Sequence, residues 1–133
     1  MSEASDYVEN QILNCYLNQT NITAPTNIYV GLHTADPTDA GSGAEVSGNG
    51  YARVEITDKF GTASGTGGSV SSNADITGFT ASGGNWGTVS HIGIWDASTS
   101  GNLLFHTALD SSATVNDGDS FQISSGNLTV TVA

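Results

Sequence analysis

The chain has 133 residues and sets thirteen acidic side chains against two basic ones, Arg53 and Lys59, for a net charge of −11. Binding to nucleic acid or to an anionic membrane needs a cationic surface, so the composition argues against both partners. No apolar run is long enough to span a bilayer as a helix, and the single cysteine precludes an internal disulfide.

Charged residues make up only 11% of the chain, so serine, threonine, asparagine and glycine must fill most of its surface. That composition suits short strands joined by turns and suits helices poorly. The length fits a single domain, 1–133, able to bury a core without staples. The opening MSEASDYVEN has neither a basic start nor an apolar stretch, so it is not expected to be a signal peptide.

One helix is predicted, over about 6–17. Val8, Ile12, Cys15 and Tyr16 follow helical spacing, and Leu13 and Leu17 widen the stripe. Asp6 is placed as its N-cap, with Glu9 completing a capping box. Cys15 reads as a small core residue. The helix is expected to cover an edge of the sheet or to reach a neighbour.

Beyond Pro25 the pattern turns to strands and a sandwich over about 26–133. NIYVGLHT (27–34) alternates, with Ile28, Val30 and Leu32 on one face. ADPTDAGSGAEVSGNG (35–50) is a long loop of turn formers. YARVEIT (51–57) alternates again, and FGTASGTGGSVSSNAD (60–75) reads as a mobile glycine- and serine-rich loop. ADITGFTA (74–81), TVSHIGIWD (88–96) and NLLFHTAL (102–109) follow as strands. DSFQISS (119–125) and LTVTVA (128–133) are joined by a Gly-Asn turn, a hairpin signal. The expected fold class is mainly β: an antiparallel β-sandwich, jelly-roll or immunoglobulin-like, with one N-terminal α-helix.

No nucleophile elbow, phosphate loop or dinucleotide fingerprint occurs, so neither catalytic nor cofactor-binding residues are assigned and the chain is expected not to be an enzyme. In a symmetric 88–109 hairpin, Trp95 lies opposite Leu103 and Ile92 opposite His106. His91 and His106 then point to opposite faces and cannot share a metal, whereas a one-residue slip reunites them. With His33 in another strand, each histidine is expected to bond a backbone or hydroxyl group, and no metal site is assigned. Asp36, Asp39 and Glu45 offer oxygen ligands in one loop but lack calcium-loop spacing. Asp96 is placed at the start of a turn. Trp95 reads as core, and Trp86, in a glycine-flanked loop, as open to contact. Arg53 is expected to pair with a carboxylate, within the subunit or across an interface.

IYVGLHTADPTDAGSGAEVSGNGYARVEIT (28–57) and NWGTVSHIGIWDASTSGNLLFHTAL (85–109) together resemble a family of small tailed-bacteriophage virion proteins usually labelled phage tail fibre proteins. The resemblance covers nearly the whole chain, from the helix to the last hairpin. Gly31 stands where that family has alanine, and Ala44 where it has threonine. It implies a non-enzymatic structural protein of the virion, with no cofactor. The leading expectation is a capsid cement or decoration protein on the outer shell, partnered by the major capsid protein. The alternative is a tail fibre or fibre tip, partnered by tail proteins and presenting Trp86, Tyr51 and nearby acids to host polysaccharide. Either role implies a homo-oligomer, with a trimer favoured. Arg53, Asp36, Asp39, Glu45, Tyr51 and Trp86 are the interface candidates.

Overall fold

The computed structural model describes residues 2–64 and 67–132. One α-helix and nine strands follow in chain order: β1 (Glu3–Ala4), α1 (Asp6–Asn18), β2 (Tyr29–His33), β3 (Val54–Glu55), β4 (Ser69–Ser71), β5 (Ile76–Thr80), β6 (Gly87–Trp95), β7 (Leu103–Val115), β8 (Ser120–Ile123) and β9 (Thr129–Thr131). All pairings are antiparallel. One sheet has the order β1-β7-β6-β2-β3, and two short sheets pair β4 with β9 and β5 with β8. The result is the expected mainly β sandwich with an N-terminal helix.

Its core is one apolar cluster drawn from every sheet. Val30 and Leu32 come from β2, Ile92 and Ile94 from β6, Ile76 and Phe79 from β5, and Val130 from β9. Such side chains each contribute roughly 1.5–3 kcal/mol by leaving water.

Helix α1 starts where expected, but its cap lies one residue earlier. Ser5, not Asp6, is the N-cap: its side chain accepts from the Val8 amide and donates to the Leu103 carbonyl of β7. Asp6 and Glu9 stand in the first turn, where the helix dipole favours acids. Gln19 closes the helix with φ 52°, its amide bonded to the Asn14 carbonyl. No residue of α1 is fully buried. Cys15 is only partly buried, which corrects its placement in the core.

Three further expectations change. The C-terminal strands do not pair with each other, because β8 joins β5 and β9 joins β4. Within 51–57 only Val54–Glu55 forms a strand, pairing with Tyr29 and Val30, because the β2 edge beyond them is taken by residues 45 and 46. The 60–75 stretch contains β4 and a bridge between Phe60 and Ser72, and its residues 65 and 66 lie outside the described residues.

The β6–β7 register also departs from symmetry. Trp95 does pair with Leu103, but Ile94 pairs with Phe105 and Gly93 with His106. Leu104 is therefore an extra residue, a bulge that rotates everything after it by one position. A second irregularity between Val89 and His91 sends Val89 into the core with Ile92 and Ile94. His33 pairs with His91, and Gly31 with Gly93, so all three histidines come to one face of the sheet, away from the core.

Candidate functional site

That outer face is covered by the 34–50 loop. The loop folds back along β2: the Thr34 amide donates to the Ala44 carbonyl at 2.8 Å and the Val46 amide to the Leu32 carbonyl at 2.9 Å. A bridge between His33 and Glu45 continues the pairing. Pro37 is buried, and the Asp6 amide donates to the Asp39 carbonyl at 3.1 Å. The stretch read as a long loop of turn formers is thus pinned at both ends and in the middle.

Beneath it lies a second, polar cluster centred on Arg53. Its Nε and one terminal nitrogen donate to the two Glu45 oxygens, each at 2.8 Å. The other terminal nitrogen donates to the carbonyls of Ala97 and Ser100, also at 2.8 Å. The guanidinium carbon stands 4.0 Å from the centre of the Trp95 ring. Tyr51 donates from its hydroxyl to Glu45 at 2.6 Å and accepts there from the Leu32 amide at 2.9 Å. The Arg53 side chain is 6% exposed and that of Glu45 24%. One arginine therefore joins the loop to the β6–β7 turn, using the planar fork that lysine lacks, while Tyr51 ties the same carboxylate to β2.

Burial alone would raise the pKa of Glu45. Hydrogen bonds from Arg53 and Tyr51, with the charge of Arg53, outweigh it and hold the carboxyl below its ordinary value. Burial, then the hydrogen bond to Glu45, pushes the Tyr51 hydroxyl well above its ordinary value. His33 is buried and stacked on Trp95, with ring centroids 6.0 Å apart. Burial holds its pKa below 6.5, against the Gly43 carbonyl and the Glu45 charge, which both favour protonation.

Two glycines make room for this packing. A Cβ on Gly93 would stand 2.8 Å from Leu103 Cδ1 and 2.9 Å from Trp95 Nε1. One on Gly31 would stand 2.7 Å from Glu45 Oε2. Alanine at 31 would thus push against the carboxylate that Arg53 holds.

The six candidate residues divide. Arg53, Glu45 and Tyr51 form the cluster just described, so the ion pair expected of Arg53 lies within the subunit. Trp86 is 7% exposed, its Nε1 donating to the Asn49 carbonyl at 2.9 Å and its ring edge-on to Tyr51. The expectation that Trp86 stands open to contact is corrected, because the loop carrying Asn49 covers it. Asp36 and Asp39 remain exposed and turn toward His106, not toward Glu45.

His106 is the residue that sequence reasoning missed. Its Nε2 lies 2.8 Å from Asp39 Oδ1 and 3.9 Å from Glu3 Oε2, and its Nδ1 lies 3.5 Å from Asp36 Oδ1. His33 bonds the Gly43 carbonyl and His91 the Ser90 hydroxyl, as expected, but His106 faces carboxylates. No local signal marks this, because Asp39 and His106 are 67 positions apart and the bulge at Leu104 decides the face. The Asp96 turn is as expected: its carboxylate accepts from the Asn102 amide at 2.7 Å.

On α1, Leu13 is 54% exposed, Tyr16 77% and Leu17 75%. A cavity of about 480 Å³ lies beside Leu13, lined also by Ile12, Val132 and Glu9. Among the described residues, no helix is long and apolar enough to cross a membrane.

Among the described residues, then, the buried Arg53–Glu45 pair ties the protein's own loops together, and the one helix keeps apolar side chains in solvent. Residues 3–131 match the family described as podophage GP4 fiber I protein gp80. The chain belongs to this family of phage fiber proteins, which makes it a virion component. None of the curated proteins compared with it matches the chain. The ranking of capsid cement ahead of tail fibre draws no support from the match, which names a fiber protein.

Proposed function

We propose that the protein is a non-enzymatic fibre component of a podophage tail that joins its virion partner through helix α1. The exposure of Leu13, Tyr16 and Leu17 on a helix with no fully buried residue carries this reading. A large apolar patch rimmed by polar side chains is costly to leave in water and marks a contact surface. The partner is a second copy of the chain, within a homo-oligomer for which a trimer is the favoured state, or a neighbouring tail protein. The net charge of −11 supports a role away from the packaged DNA and from membranes.

The fibre and cement roles differ in copy number. Quantitative mass spectrometry of purified virions against the major capsid protein tests this. A few to a few tens of copies fit a fibre, whereas hundreds in simple ratio to the capsid protein would return the protein to the shell and refute the tail reading.

A further inference from the structure

We propose that His106, Asp39 and Glu3 form a binding site for a first-row divalent cation such as Zn²⁺ or Mn²⁺. One imidazole nitrogen and two carboxylate oxygens lie within 4.8 Å of one another. Around an ion bound at about 2.1 Å, neighbouring ligand atoms stand roughly 3.0–3.5 Å apart. The 2.8 Å from Nε2 to Asp39 and the 3.9 Å from Nε2 to Glu3 bracket that spacing, and the exposed Glu3 side chain is free to close the difference.

Three independent constraints converge on the site. Glu3 is the direct register partner of His106 across the β1–β7 pair, so the two side chains share one face of the sheet. Asp39 is held by its own carbonyl, which accepts from the Asp6 amide. The imidazole is 4% exposed and pairs across β6 with Gly93, which has no side chain to crowd it. Asp36 stands 3.5 Å behind Nδ1, and its Oδ1 also accepts from the Thr38 amide. At that distance it makes no hydrogen bond to Nδ1, but a carboxylate on that side would favour the proton on Nδ1 once Nε2 ligates an ion.

The donor set selects the metal class. Calcium and magnesium prefer all-oxygen shells, whereas one imidazole with carboxylates suits zinc, manganese and their neighbours. Three protein ligands leave positions for water. Bound there, the ion would tie the N-terminal strand, the 34–50 loop and β7 together. It would thereby fix the start of α1 against the body. The competing occupant of the space is the proton that Nε2 donates to Asp39, which needs no metal.

The test uses the full chain, stripped with EDTA and titrated calorimetrically with ZnCl₂ and, separately, MnCl₂, with thermal melts in parallel. The expected result is one ion per chain and a Tm about 10 °C higher at 100-fold excess over Kd. The Glu3→Gln/Asp39→Asn double variant should lose both the binding and the shift. Asp58→Asn, another exposed carboxylate variant, should keep them. Should the double variant fold poorly, Glu3→Gln alone, at a 68% exposed side chain, should weaken binding at least tenfold. Absence of saturable binding by either metal, or full retention of it in the double variant, would overturn the proposal.

Discussion

Replacing Arg53 by alanine removes four hydrogen bonds and the cation over Trp95 at once. Removing one partner of a buried ion pair costs about 3–5 kcal/mol, chiefly because the other charge is left without compensation. The Glu45 side chain is 24% exposed, so water recovers part of that. Two carbonyls lose a charged donor, and the Trp95 contact is worth about 0.5–2 kcal/mol. A loss of about 3 kcal/mol follows, or roughly 10–15 °C in Tm for a chain of this size. Urea unfolding followed by tryptophan fluorescence reads it directly, since Trp95 lies against the guanidinium. Arg53→Lys keeps the charge but not the fork, and should recover about half. In a double-mutant cycle, Arg53→Ala and Glu45→Gln should couple by about 1–3 kcal/mol. Unchanged melting of Arg53→Ala with impaired oligomerisation would refute the reasoning and make the arginine an intersubunit contact.

Gly93→Ala should destabilise by about 1–3 kcal/mol in chemical unfolding, because the new methyl overlaps Leu103 and Trp95. In Tm measured against pH, stability should fall in two stages on acidification. The folded pKa of His33 lies below 6.5, so the unfolded chain takes up that proton first and stability declines as pH drops below 6.5 toward the folded value. The folded pKa of Glu45 lies below 4.5, so its contribution is intact above 4.5 and is lost as pH falls through the folded value. His33→Gln should flatten the first stage alone, and a Tm that rises on acidification from pH 6.5 would contradict the assignment. Tyr16→Ser with Leu17→Ser should change monomer stability by less than about 0.5 kcal/mol each, as exposed sites do, yet abolish oligomer formation in analytical ultracentrifugation.

The helix, the acidic and cation-poor surface, and the strands of β2, β5, β6 and β7 were legible in the sequence. Local propensity and side-chain period act within a few residues, and those are what a sequence displays. Asp96 belongs with them, since its turn closes within six positions. The pairing partners of β8 and β9 were not, because a Gly-Asn turn permits a hairpin without requiring one. The exposure of Trp86 was also misjudged: glycine neighbours report a flexible backbone, not what lies above it.

The site shows the same division more sharply. The chain's composition alone made Arg53 conspicuous and implied that it pairs with a carboxylate. Only the folding of the 34–50 loop over β2 decided that the carboxylate is Glu45 and that the pair is internal. His106 depended on a single inserted residue. Both faces of the β6–β7 pair carry apolar side chains, so hydrophobic patterning could not choose the register. The bulge at Leu104 satisfies the core with Phe105 and Leu104 while turning His106 to the outer face, where Asp36, Asp39 and Glu3 arrive from distant parts of the chain. Residue types and local periods are properties of the sequence, whereas which carboxylates meet which histidine follows from long-range packing, and only the tertiary structure decided it.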